Sequence, residues 1–109
     1  MLSIHLILIL LWIHFITDFF LQDDETAINK SKSNYYLSGH CLIYMIPFLP
    51  FGIYFGLLLF ISHFVIDYVT SRITTKLFLQ GKRHWFFCTI GVDQALHLTV
   101  LYLLSVKFL

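Results

Sequence analysis

Apolar and polar positions divide the chain into four apolar stretches separated by short connections. They run from about Leu2 to Leu21, Tyr35 to Phe48, Phe51 to Val69, and Trp85 to the end. A helix needs roughly 20 apolar residues to span a bilayer, with a range of about 17–25. The first, third and fourth stretches meet that length. The second is short and is expected to tilt, to thin the bilayer locally or to borrow residues up to Gly52. Pro47 and Pro50 close it, because proline disfavours helix at the residue before it, and they predict a tight turn into the third stretch. The first stretch lacks a basic leader and a small-residue cleavage site, so it reads as a retained transmembrane helix. The pattern predicts an all-α polytopic transmembrane helical bundle of about four helices, with residues 1–109 forming a single integral membrane domain.

Composition sharpens this picture. Of 109 residues 59% are hydrophobic and 12% charged, with a mean hydropathy of +0.83, against about 25% charged in a soluble domain. A soluble chain this short could not hide so much apolar surface, whereas a lipid bilayer would solvate it. A net charge of +1 gives no basic field for nucleic acid. Cys41 and Cys88 lie in apolar stretches without a CxxC pattern and read as small packing residues.

The cations set an orientation. Lys30 and Lys32 fall in the Gln22–Asn34 connection, and Arg72, Lys76, Lys82 and Arg83 in the Ser71–His84 connection; only Lys107 lies at the other side. Positive residues favour the cytoplasm. Both connections are therefore expected inside and both termini outside, with part of Ile73–Leu79 as an interfacial extension of the third helix. Trp12, Tyr35, Tyr36, Tyr44 and Trp85 include candidate aromatic-belt anchors.

Chemistry enters through three acids inside apolar stretches, each with a histidine four residues away: His14 and Asp18, His63 and Asp67, Asp93 and His97. Positions i and i+4 share a helix face. Chance gives three such pairs on the order of one time in a thousand by template counting. An Asp at a helix centre in lipid costs roughly 2.5–3.5 kcal/mol on insertion scales, and such residues face the bundle interior. At 1.5 Å per residue these six, together with His40, fall roughly 4–18 Å from the inner helix ends, in one half of the bundle.

Imidazole nitrogen and carboxylate oxygen suit Zn foremost, with Mn or Fe as further candidates. His14, Asp18, His40, His63, Asp67, Asp93 and His97 are the candidate ligands of this divalent transition metal. The set exceeds one tetrahedral site, so it holds two ions or includes residues that orient the ligands. A proton relay and a hydrogen-bonded staple between helices are the other readings of the same residues. Gln22 and Gln94 flank the pairs and are candidates to position substrate or water. His5 and His84 fall outside the layer, and Asp23, Asp24 and Glu25 read as a solvated run.

HFITDFFLQ, AINKSKS, His40, SHFVIDY and VDQALH together resemble a family of small bacterial inner-membrane proteins known as a domain of unknown function. Its pattern of HxxxDFxLQ, a second-helix His, HFxxD and DQxxH covers nearly the whole chain. The HxxxD element is also similar to membrane-bound metal-dependent hydrolases of the LexA-regulated type. That similarity implies metal-activated water attacking a lipid-like or phosphoester substrate.

The hydrolase expectation makes Asp18, Asp67 and Asp93 the catalytic carboxylates, one of them left off the metal as general base. Arg72 and the Lys82/Arg83 pair would hold phosphate at the inner leaflet. A metal- or proton-binding transport or accessory subunit is the alternative. Four short helices leave little room for a path, so that alternative calls for a homo-oligomer or a membrane-protein partner.

Overall fold

The computed structural model describes residues 2–109; Met1 lies outside them. Among the described residues the structure is helical, with no strand. Helix α1 spans Ile4–Phe15, capped by the Ser3 side chain, which accepts from the Leu6 amide at 3.1 Å. It continues into a π-helical turn, Ile16–Phe20. The Thr17 hydroxyl donates back to the Ile13 and His14 carbonyls inside this transition. Side chains that bond back to the preceding turn bend helices, and single π turns recur at functional sites.

The first polar connection holds a helix of its own, α2 (Asp24–Asn29). The Asp23 carboxylate accepts from the Thr26 amide at 2.7 Å. Hydrogen bonding by Thr26, its side chain first and its amide second, holds the Asp23 carboxyl below the usual carboxylate range. The acidic run is therefore a helix start, with Asp24 and Glu25 in the first turn where the dipole favours anions.

Helix α3 (Asn34–Met45) passes into a 3₁₀ segment, Ile46–Phe51, that holds both prolines. Gly52 then reverses the chain at φ 146°, a backbone region that side chains rarely adopt. Gly56 lets the 3₁₀ segment press onto the next helix: a Cβ there would stand 2.6 Å from Leu49 Cδ2. The third apolar stretch becomes α4 (Ile53–Leu79), which runs past Val69 through the whole amphipathic extension. A turn at Gly81 leads to α5 (Arg83–Phe108). Helices α4 and α5 form the most extensive pair, and α3 packs on α4.

Two of these helices, α4 and α5, are long and apolar enough to cross a membrane, and Ile4–Phe20 is a shorter apolar helix. Polar side chains are buried in the interior while many large apolar ones are exposed. On α4 the buried residues include His63, Asp67, Thr70 and Ser71, while Ile53, Leu57, Ile61, Val65 and Val69 point outward. A small apolar core of Leu10, Tyr44, Phe48, Phe55, Leu59 and Leu101 lies beside this polar layer.

Tyr44 is not a belt anchor. It is 1% exposed and bridges the apolar core to the polar layer, whereas Trp12, Tyr35 and Trp85 are exposed. Cys41 is buried, while Cys88 is exposed, its sulfur 3.6 Å from His84 Nε2.

Candidate functional site

The seven candidates form one connected cluster. The i,i+4 pairs share faces, with His14–Asp18 at 3.8 Å, His63–Asp67 at 3.4 Å and Asp93–His97 at 3.2 Å. The shortest contacts, however, cross between helices. His40 Nε2 on α3 lies 3.0 Å from Asp18 Oδ1 on the π turn, and His97 Nε2 on α5 lies 2.8 Å from Asp67 Oδ1 on α4.

Four donors meet at the centre. His40 Nε2 and His63 Nε2 are 3.1 Å apart. Asp18 Oδ1 stands 3.0 and 3.3 Å from them, and Asp67 Oδ2 3.4 Å from each. A tetrahedral ion with ligand bonds of about 2.0–2.1 Å requires ligand–ligand edges of about 3.3 Å. The chemistry of the set, two imidazoles and two carboxylates, suits the same ions. All four residues are at least 96% buried. Asp18, His40, His63 and Asp67 therefore fit a divalent metal by donor type and by spacing. A second group, Asp18, Asp93 and His97, adjoins it.

His14 stands outside both groups. Gln94 Nε2 donates to Asp18 Oδ2 and to Asp93 Oδ2, each at 3.0 Å. Its Oε1 must then accept, from His14 Nε2 at 2.9 Å. That leaves His14 Nδ1 as acceptor for the Tyr44 hydroxyl at 2.8 Å. His14 thus orients Gln94 and, through it, two carboxylates. Tyr44 also stacks on the His63 ring at 4.0 Å, and His63 stacks on His97 at 4.0 Å, so the imidazoles are held in a packed column.

The carboxylates, not the imidazoles, face an open space. Asp18, Asp67, Asp93, Gln22 and Gln94 line a cavity of about 530 Å³ between α2 and the α4–α5 end of the bundle. Gln22 Oε1 and Ser71 Oγ, both in its wall, are buried without a hydrogen-bond partner. Arg72 is elsewhere. Its guanidinium lies 3.6 Å from the Tyr68 ring centre and donates to the Tyr68 carbonyl and Asn34 Oδ1. The cation that does reach the centre is Lys30, at the end of α2, whose Nζ donates to Asp67 Oδ2 at 3.3 Å.

Lys30 and Tyr44 are the residues that sequence reasoning assigned to other roles. His40-x-x-x-Tyr44 has the face-sharing spacing used for the Asp–His pairs, which was the available signal for Tyr44. For Lys30 the signal was its place in AINKSKS, beside the other motif strings. His5 and His84 are both exposed and outside the cluster.

No curated protein and no solved structure matches the chain. The family described as "Protein of unknown function (DUF3307)" matches residues 6–109, nearly the whole chain, and the protein belongs to that family.

Proposed function

We propose that the protein is a metal-dependent hydrolase embedded in the bacterial inner membrane, acting on an amphipathic phosphoester at the cytoplasmic leaflet. The observation that carries this reading is the quartet Asp18, His40, His63 and Asp67, with metal-sized edges, whose two carboxylates stand in the wall of a cavity.

In this reading α1, α3, α4 and α5 all cross the bilayer. Helix α3 and its 3₁₀ continuation together cover Asn34–Phe51. At about 1.5 and 2.0 Å per residue they extend about 30 Å, the thickness of the hydrocarbon core. Outward apolar faces and an inward polar layer support the same environment. The cation asymmetry supports termini outside. A C-terminal reporter active only in the cytoplasm should be silent and a periplasmic one active; the reverse pattern would invert the proposed orientation.

The cavity has walls of two kinds. Phe19, Ile28, Phe78, Leu79, Phe86 and Ile90 offer an apolar lining, and Lys30 and Lys32 supply positive charge. An acyl chain fits the first and a phosphate the second. Asp18, His40, His63 and Asp67 would hold a divalent ion, preferably Zn with Mn or Fe as substitutes, which would supply a Lewis acid for a phosphoryl oxygen and for water.

The chain's own groups do the rest. Gln22 and Ser71 offer unpartnered polar atoms to the substrate or to water. Asp93, outside the quartet and on the cavity wall, accepts the proton as water oxygen bonds to phosphorus. The ester P–O bond breaks and the leaving oxygen takes the proton held by Asp93, so that it departs as the alcohol.

The test offers metal-loaded protein in detergent a panel of phosphomonoester and phosphodiester lipids and long-chain carboxylic esters. Metal-dependent release of product from a phosphoester, lost in Asp67→Asn, is the expected result. Stoichiometric metal with no turnover of any class would reject the hydrolase. Ion uptake into liposomes would then support the transport alternative.

A further inference from the structure

We infer that the centre is binuclear, with a second divalent-cation site made by Asp93 and His97, and with Asp18 as the carboxylate common to the two sites. The inference rests on the metal reading above and adds to it the number of ions and the sharing of ligands.

The quartet uses one oxygen of each of its carboxylates, Asp18 Oδ1 and Asp67 Oδ2. The other oxygen of Asp67 faces away from the quartet toward His97 Nε2 at 2.8 Å. The same His97 nitrogen lies 3.2 Å from Asp93 Oδ1. Asp18 contributes an atom within 4.8 Å of the donor atoms of both Asp93 and His97. Two sets of nitrogen and oxygen donors thus share Asp18, the usual construction of paired-metal hydrolytic sites, in which the ions stand about 3.5–4 Å apart.

The surroundings support ligation rather than a simple staple. Gln94 and Thr70 donate to Asp93, and Gln94 also to Asp18, which fixes both carboxylates in the way that ligands of metal sites are fixed. His97 is packed face to face with His63, a member of the first set. Asp18, Asp67 and Asp93 line the same cavity, while the imidazoles stand behind them. Ions in the two sites would therefore contact one substrate.

Charge points to the substrate class. Three carboxylates and Lys30 carry a net of −2, which two divalent ions turn to +2, a match for a phosphate group. In this arrangement Asp93 is a ligand, by its spacing to His97 and Asp18, in place of the proton acceptor named for a single-ion site, and the acidified water would lose its proton to solvent in the cavity.

The experiment uses full-length protein in detergent, stripped with chelator, reloaded with Mn²⁺ and freed of loose metal by desalting. Two Mn²⁺ per chain are expected, with the exchange-coupled resonance of a close pair. Asp93→Asn and His97→Ala should each retain one ion and show the six-line signal of an isolated Mn²⁺. Should either variant fail to fold, the stoichiometry and coupling of the natural protein decide alone. One ion per chain without coupling would overturn the binuclear inference and leave the single site standing. No retained ion would overturn both, and two ions kept by Asp93→Asn would overturn the ligand assignment.

Discussion

Replacing His63 by alanine is expected to lower metal affinity by more than about a hundredfold and to lower the melting temperature with it, whereas His5→Ala should change neither. His63 Nε2 touches three other members of the quartet, His40, Asp18 and Asp67. Loss of residues that merely orient ligands lowers affinity about 10–100-fold, and loss of a ligand should exceed that.

Stability follows by mass action, since an ion that binds only the folded chain stabilises it by about 2.7 kcal/mol at a hundred times its dissociation constant. The variant also opens a hole between Tyr44 and His97, whose rings both stack on His63. His5 is exposed at the far end of α1. Metal content by mass spectrometry and melting by intrinsic fluorescence, run on both variants, separate this effect from adventitious metal. Equal melting of the two, with no stoichiometric metal in the natural protein, would remove the metal reading and favour the relay or staple.

The sequence carried the faces but not the pairings. Helical spacing placed His63 with Asp67 and Asp93 with His97, and the structure keeps those faces shared. It could not show that Asp18 pairs most closely with His40, because that depends on how α1 is rotated against α3. A π turn, which has no simple residue signature, falls at Asp18 itself.

Depth reasoning placed His14 among the ligands. Only the position of Gln94, on a helix eighty residues later, turns it into an orienter. Residue type alone leaves Tyr44 among the candidate interface anchors, whereas its spacing from His40 puts it on the inward face. The acidic run Asp23–Glu25 is exposed, as its composition suggests, but it opens a helix rather than lying in a loop, and Asp23-x-x-Thr26 is the helix-start pattern that marks it. Loop cations raise the same difficulty, since charge counting gives a lysine its side of the membrane and not its reach.

Lys30 provides the second large effect: Lys30→Met should tighten metal binding by about ten- to a hundredfold. In the structure its ammonium donates to Asp67 Oδ2, the same oxygen that belongs to the quartet. Metal and ammonium therefore compete for one lone-pair site, and the metal must displace the lysine.

A hydrogen bond involving a charged group contributes about 1.5–3 kcal/mol, and each 1.4 kcal/mol is about a factor of ten in affinity. Removing the ammonium leaves Asp67, which is 2% exposed, with one cationic partner fewer. The metal-free variant should accordingly melt lower than the natural protein, and the metal-loaded variant should melt close to it. Once displaced, the ammonium remains at the cavity wall, where it can meet a phosphate. The tighter-binding variant should therefore be the poorer catalyst, with KM for phosphoester lipids raised. Calorimetric titration of stripped protein with Zn²⁺ checks the first part. Unchanged or weaker affinity in Lys30→Met would mean that Lys30 does not compete at Asp67 but acts with the metal.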